Sequence, residues 1–92
     1  MEIIEELYEV VLDRKKRPKE GSYVSSLMAA GQGRILEKIS EESGEVIEAA
    51  EAGSKADLIH EAADLFFHLL VLLGYKGITP GDVQEELKRR RK

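Results

Sequence analysis

Hydrophobic residues recur along the chain at the spacing of an α-helix, and no stretch of useful length alternates in the way typical of a β-strand. The pattern predicts helices over about 2–13, 34–52, 56–73 and 80–90, with a short helical piece at 23–30. Pro18 follows the first of these segments, and Gly53 and Gly74 follow the two long ones. Thr79 and Pro80 are suitable residues to begin the last helix. We therefore expect an all-α bundle of four to five helices.

Acidic side chains accompany the apolar faces of the two long helices. At about 100° per residue, Glu42 and Glu45 lie beside an apolar sector of the first long helix. That sector comprises Ile35, Ile39, Val46 and Ala50. On the second long helix, Glu61, Asp64 and His68 form one stripe on an otherwise apolar segment. Because a short turn joins the two helices, we expect them to pack antiparallel, so that the four carboxylates converge.

A cluster of four carboxylates at the edge of a core is costly, because like charges repel and burial disfavours the ionised form. Either protonation or a divalent cation would relieve this cost. Carboxylates without any cysteine suit Mg²⁺, or Mn²⁺, better than Zn²⁺. His68 could serve as a metal ligand, as a hydrogen-bond partner of a ligand, or as a phosphate contact.

Length, net charge and the absence of a long apolar run limit the kinds of protein that this chain can be. The length of 92 residues predicts one domain over 1–92, and a chain this short is often completed by oligomerisation. The net charge of −4 argues against a nucleic-acid partner. The first residues do not resemble a signal peptide, and the longest apolar run, 69–73, is too short to span a membrane. We expect a soluble, cytoplasmic protein without a membrane partner.

The acidic residues also resemble a known signature. Glu41-Glu42-x-x-Glu45 followed by Glu61-x-x-Asp64 is similar to the metal-binding motif of the MazG-like, all-α nucleotide pyrophosphohydrolases. The segments GSYVxxL at 21–27 and EAADLxxHLLV at 61–71 narrow the resemblance to the phosphoribosyl-ATP pyrophosphohydrolase family, over about residues 10–90.

The resemblance implies an activity and a division of roles. The family hydrolyses the α–β phosphoanhydride of 1-(5-phosphoribosyl)-ATP to 1-(5-phosphoribosyl)-AMP and pyrophosphate, the second step of histidine biosynthesis, and requires Mg²⁺. By this resemblance Glu42, Glu45, Glu61 and Asp64 would hold the metal. Either Glu41 or Glu45 would activate the attacking water, and the sequence does not choose between them.

Further residues are candidates for binding the substrate, and a homodimer is implied by the family. The candidate phosphate and substrate contacts are Arg14, Ser22, Tyr23, Lys38 and His68. Two alternatives stay open at this stage. One is a related enzyme that clears non-canonical nucleoside triphosphates, and the other is a non-enzymatic helical dimerisation module.

Overall fold

The computed structural model describes residues 2–91, and these form five α-helices without a β-strand. The helices are α1 (Glu2–Lys16), α2 (Tyr23–Ala30), α3 (Gln32–Ala52), α4 (Lys55–Lys76) and α5 (Pro80–Arg90). The predicted all-α class is therefore confirmed. The first and last positions of the predicted domain, residues 1 and 92, lie outside the described residues.

Side-chain caps explain where three of the helices begin. Ser22 accepts a hydrogen bond from the backbone N–H of Ser25 and begins α2. Ser54 and Thr79 begin α4 and α5, and each forms a reciprocal capping box with the aspartate three residues later. The predicted helices at 23–30 and 80–90 are thus confirmed, the latter with Thr79 as its N-cap.

The helices α3 and α4 form a hairpin across a turn at Gly53 and Ser54, and their packing brings Glu42 close to Asp64 and Glu45 close to Glu61. This pairing is that of antiparallel helices, as predicted. The buried face of α3 is Ile35, Glu42 and Ala49.

One detail of the predicted helix rotation was wrong. Ala50, expected in the apolar sector, is exposed, and Glu42 lies on the buried face rather than beside it. The reason is that α4 packs along the side of α3 that carries the carboxylates.

The predicted end of α4 at Gly74 was also wrong, because the helix continues to Lys76 and ends at Gly77, whose φ is 73°. Gly74 is buried where α1 crosses α4. A Cβ atom at this position would lie 2.6 Å from Cγ1 of Val11, so the missing side chain permits the close approach of the two helices. The glycine is therefore a packing residue and not a helix stop.

The end of α1 is fixed to the same part of α4. The helix extends beyond the predicted limit to Lys16, and Lys15 Nζ donates hydrogen bonds to the carbonyl oxygens of Gly74 (2.9 Å) and Tyr75 (3.1 Å). These are carbonyls of the last turn of α4, which have few partners within the helix. A cation from α1 thus caps α4.

The core lies where the first four helices meet. Its buried residues are Val11, Val24, Leu27, Ile35 and Val71. Among the described residues, none of the helices is both long enough and apolar enough to cross a membrane.

Candidate active site

Four carboxylates from the α3–α4 hairpin meet at one place. Glu42 and Glu45 on α3, and Glu61 and Asp64 on α4, each contribute one oxygen, and these oxygens all lie within 4.8 Å of one another. Each pair is spaced by three residues, which places its members on one face of the helix. The structure therefore brings together the four residues that the sequence predicted as metal ligands.

Glu42 is the buried member of this carboxylate cluster. Its residue exposure is 5%, and its Oε2 atom has no hydrogen-bond partner among the described residues. Its Oε1 atom lies 3.6 Å from Lys38 Nζ. Burial raises the pKa of Glu42, and the neighbouring carboxylates of Glu45 and Asp64 raise it further, against the opposing effect of Lys38. Buried polar atoms nearly always have a partner, so this oxygen requires a proton or a cation.

The pKa of Glu61 is also raised, chiefly by the adjacent Glu45 carboxylate and then by partial burial. His60 acts in the opposite direction, with its Nε2 atom 3.7 Å from Glu61 and 3.4 Å from Asp64. Sequence reasoning missed His60 as a neighbour of the cluster. The signal was present, because a residue four positions before Asp64 on a helix lies on the same face.

The donor atoms of the carboxylate cluster suit a hard divalent cation. Mg²⁺ and Mn²⁺ prefer oxygen ligands, and Mg²⁺ is commonly held by carboxylates together with water and phosphate. Within residues 2–91 one Glu42 oxygen has no partner. Burial and then the closeness of the carboxylates raise the pKa of Glu42, and the carboxylate of Glu45 raises the pKa of Glu61, so a bound cation would relieve the repulsion among them. The residues therefore fit such an ion, and their role as ligands stays a prediction.

Glu41 lies outside the carboxylate cluster, because its side chain turns to Lys38. Lys38 Nζ donates a hydrogen bond to Glu41 at 3.0 Å, and Arg34 lies 3.9 Å away on the other side. The hydrogen bond and charge of Lys38 lower the pKa of Glu41, while the same bond raises the pKa of Lys38. Lys38 thus places a cation between Glu41 and Glu42.

His68 lies behind the carboxylate cluster, with only 5% of its surface exposed. Its Nδ1 atom is 2.7 Å from the backbone carbonyl oxygen of Asp64, and its Nε2 atom is 2.7 Å from the hydroxyl of Tyr23. Both ring nitrogens are therefore engaged with protein atoms. Tyr23 is half exposed at the start of α2.

The remaining predicted contacts share a separate groove of about 320 Å³. Arg14, Ser22 and Tyr23 line it, together with Lys19 and Phe67. Arg14 also forms an ion pair with Asp13 at 2.8 Å. Through the Tyr23 hydroxyl this groove is connected to His68, and so to the backbone of Asp64.

Another groove, of about 500 Å³, adjoins the carboxylate cluster near the α3–α4 turn. Half of its lining residues are acidic, namely Glu45, Glu48, Asp57 and Glu61, and His60 lies at its side. An anionic ligand would enter this groove only together with cations, because the field there is negative.

Comparison with known proteins identifies the family of this chain. The family model for phosphoribosyl-ATP pyrophosphohydrolase matches residues 4–91. Three relatives, each named phosphoribosyl-ATP pyrophosphatase, come from Geotalea daltonii (49% identical), Pelotomaculum thermopropionicum (50%) and Methanocella arvoryzae (48%). These alignments cover 97%, 98% and 99% of this chain and 84%, 92% and 98% of the relatives. The chain therefore belongs to the phosphoribosyl-ATP pyrophosphohydrolase family.

Proposed function

We propose that this chain hydrolyses 1-(5-phosphoribosyl)-ATP at its α–β phosphoanhydride, releasing 1-(5-phosphoribosyl)-AMP and pyrophosphate, as a cytoplasmic enzyme of histidine biosynthesis. The observation that carries the proposal is the cluster of four carboxylates with one buried, unpaired oxygen on Glu42, in a member of this family. Such a cluster suits the cation that a triphosphate substrate brings with it.

In this proposal Glu42, Glu45, Glu61 and Asp64 hold Mg²⁺, with Mn²⁺ as a substitute. When bound, the ion supplies charge neutralisation on the phosphate oxygens and a more acidic water. Glu42 anchors the site from the buried side, since its position on α3 is fixed by packing. The other three carboxylates are more exposed and form the solvent-facing side of the site.

Glu45 is the stronger candidate for orienting or deprotonating the attacking water. It belongs to the carboxylate cluster and is exposed, so a water beside it can reach the reacting phosphate. The carboxylate of Glu41 is bound to Lys38, and its lowered pKa makes it a weaker base. Lys38 can instead neutralise a phosphate oxygen near Glu42.

Arg14 and Ser22 are proposed to contact the anionic part of the substrate, while Tyr23, whose hydroxyl is engaged with His68, lines the groove beside them. They line one groove, in which the two cationic side chains of Arg14 and Lys19 outnumber the one acidic side chain, that of Glu20. A guanidinium group can hold a phosphate through two hydrogen bonds. The hydroxyl of Ser22 accepts from a backbone N–H and can still donate to a ligand oxygen.

We also propose that two copies of the chain form a homodimer through an apolar groove between α1, α4 and α5. This dimer groove has a volume of about 320 Å³ and is lined by Ile4, Phe66, Leu69, Leu70, Leu73, Pro80, Val83, Gln84 and Leu87. Phe66 is 54% exposed and Leu87 is 59% exposed. An apolar patch of this kind typically marks an interface.

The activity is tested with a substrate panel. Pyrophosphate release is measured with phosphoribosyl-ATP, with ordinary nucleoside triphosphates and with non-canonical ones, with Mg²⁺ present and after its removal. We expect phosphoribosyl-ATP to be cleaved with the highest kcat/KM, and only with the metal. Cleavage of nucleoside triphosphates without cleavage of phosphoribosyl-ATP would contradict the proposal.

A matched pair of variants assigns the chemistry to the carboxylate cluster. Glu45→Gln removes one exposed carboxylate from the cluster, and we expect kcat to fall about a hundredfold or more. Glu51→Gln removes an exposed carboxylate from the same helix outside the cluster, and we expect no change. Equal effects of the two substitutions would show that the cluster is not the reaction centre.

A further inference from the structure

A hydrogen-bonded link joins the first turn of α2 to the middle of α4. The hydroxyl of Tyr23 and Nε2 of His68 are 2.7 Å apart, and Nδ1 of His68 is 2.7 Å from the carbonyl oxygen of Asp64. Asp64 therefore has two roles in the structure. Its carboxylate belongs to the carboxylate cluster, and its carbonyl holds the ring of His68.

The chemistry of these partners fixes the direction of both hydrogen bonds. A backbone carbonyl can only accept, so Nδ1 of His68 carries a proton and donates it to Asp64. In the neutral ring Nε2 then has no proton, and it accepts from the hydroxyl of Tyr23. Helix α4 therefore orients the ring of His68, and His68 in turn orients the hydroxyl of Tyr23.

The surrounding rings hold the link in place. Tyr23 stacks on Phe67, with ring centroids 6.4 Å apart and planes inclined by 22°. His68 meets both rings edge-on, at centroid distances of 5.6 Å to Tyr23 and 5.5 Å to Phe67. Because His68 is buried, water does not compete strongly for its nitrogens. The orientation of Tyr23 is therefore set by α4 and not only by its own helix.

We propose that His68 is a positioning residue, which holds Tyr23 and the adjoining loop of residues 17–22 at a fixed place relative to the carboxylate cluster. The loop carries Ser22 into the groove shared with Arg14, where the anionic part of the substrate would bind. His68 itself does not contact substrate. This inference rests on the proposed function. His68 would fix the distance between the carboxylate cluster, which holds the metal, and the groove that binds the anionic part of the substrate.

The inference makes a specific kinetic prediction for two substitutions. His68→Asn can keep a donor toward the Asp64 carbonyl but loses the acceptor for Tyr23, and Tyr23→Phe keeps the ring but loses the hydroxyl. We expect each to raise the KM for phosphoribosyl-ATP about tenfold and to lower kcat by no more than about twofold. The double variant should match the single ones, because both remove the same hydrogen bond.

Direct titration of Mg²⁺ without substrate separates this role from metal binding. We expect the dissociation constant for Mg²⁺ to change less than about twofold in both variants. A large loss of Mg²⁺ affinity would overturn the inference by making His68 a support of the metal site. Additive effects on KM would also overturn it, since Tyr23 would then act on the substrate independently of His68.

Tyr8→Phe is the matched control, because the buried hydroxyl of Tyr8 donates a comparable hydrogen bond to the carbonyl of Ile78 at 2.6 Å. That bond lies just beyond the C-terminal end of α4, away from Asp64. We expect Tyr8→Phe to lower stability without changing KM or Mg²⁺ affinity. The same rise in KM in this variant would mean that general loosening, and not the link, is responsible.

Two measurements test the link without any activity. Nitrogen NMR of the imidazoles should find His68 protonated at Nδ1, and the only other histidine, His60, is assigned by its loss in His60→Gln. Amide hydrogen exchange near residues 22–26 should be about tenfold faster in His68→Asn and Tyr23→Phe than in the wild type. Unchanged exchange would overturn the inference. Failure of the wild type to cleave phosphoribosyl-ATP would instead contradict the proposed function alone.

Discussion

A carboxylate that is taken out of water becomes harder to ionise, and Glu42 shows this effect at its strongest in the described part of the chain. Its side chain is buried, one oxygen has no partner, and two neighbouring carboxylates face it. Lys38 lies 3.6 Å from its other oxygen and is shared with Glu41. Without a bound metal, Glu42 therefore costs the folded protein stability near neutral pH.

This cost leads to a prediction for Glu42→Gln. The substitution keeps the shape of the side chain and removes its charge, so we expect the metal-free protein to melt about 5 °C higher at pH 7. The same variant should lose most of the stabilisation by Mg²⁺ and at least about a hundredfold in activity. Thermal unfolding with and without Mg²⁺ measures the first two effects. A Tm below that of the metal-free wild type would show that other groups of the folded protein already compensate the charge of Glu42.

The raised pKa values of Glu42 and Glu61 predict how stability changes with pH. Above the ordinary pKa of a glutamate the folded state holds more protons than the unfolded state, so the stability of the metal-free protein should fall as the pH rises from about 4.5 through the raised pKa values. Urea unfolding across this range measures the slope, and saturating Mg²⁺ should flatten it. A stability that rises over the same range would contradict the prediction.

Carboxylates with lowered pKa act in a different pH window. Glu41 is held by Lys38, and Asp57 by the capping interaction with Ser54. Their contribution to the free energy of unfolding is present at neutral pH and is lost only as the pH falls below about 4. It therefore does not mask the slope expected from Glu42 and Glu61.

Spacing along the helices was enough to predict that Glu42, Glu45, Glu61 and Asp64 would meet. It was not enough to identify the partner of His68, because Tyr23 lies 45 positions away in the sequence. A helical pattern shows which face a residue occupies on its own helix. It does not show which side chain of another element will lie opposite.

At the scale of helices, the crossing of α1 and α4 depends on Gly74. We expect Gly74→Ala to destabilise the fold by about 1–3 kcal/mol, because the added methyl would overlap Val11. Denaturant unfolding measures this change. The double variant Val11→Ala with Gly74→Ala should cost less than the sum of the two single substitutions, since the smaller residue at position 11 makes room.

Gly44 provides the control for this prediction. It is also inside a helix, but a Cβ atom there would meet nothing within 4 Å. Gly44→Ala should therefore stabilise the protein by about 0.5–1 kcal/mol. Equal losses in both variants would mean that the contact with Val11 is not the cause.

Gly74 also explains why the end of α4 was wrongly predicted from the sequence. Glycine after an apolar run usually marks a helix end, and Gly77, which fills that role here, follows only three residues later. The choice between the two positions depends on Val11, which belongs to a different helix. The start of α5 after its N-cap Thr79 was predicted correctly, because that cap is encoded within a few residues.

At the scale of the whole molecule, the proposed dimer groove presents exposed apolar side chains that a second copy would cover. If a second copy supplies it, the Tm should rise with protein concentration, because association stabilises the folded state by mass action. Phe66→Arg should abolish this dependence and give a monomer in sedimentation experiments. Ile47→Arg, at a 59% exposed position outside the dimer groove, is the control and should leave the dimer intact.

The hydrogen bonds between Lys15 and the last turn of α4 bear on the order in which the chain can assemble. They join residues about 60 positions apart, whereas the four carboxylates all lie between residues 42 and 64. During synthesis the segment 42–64, which carries the four carboxylates, is made before residues 74 and 75, whose carbonyls receive Lys15. Lys15, although synthesised early, can therefore form these two hydrogen bonds only after the whole cluster of carboxylates has been made.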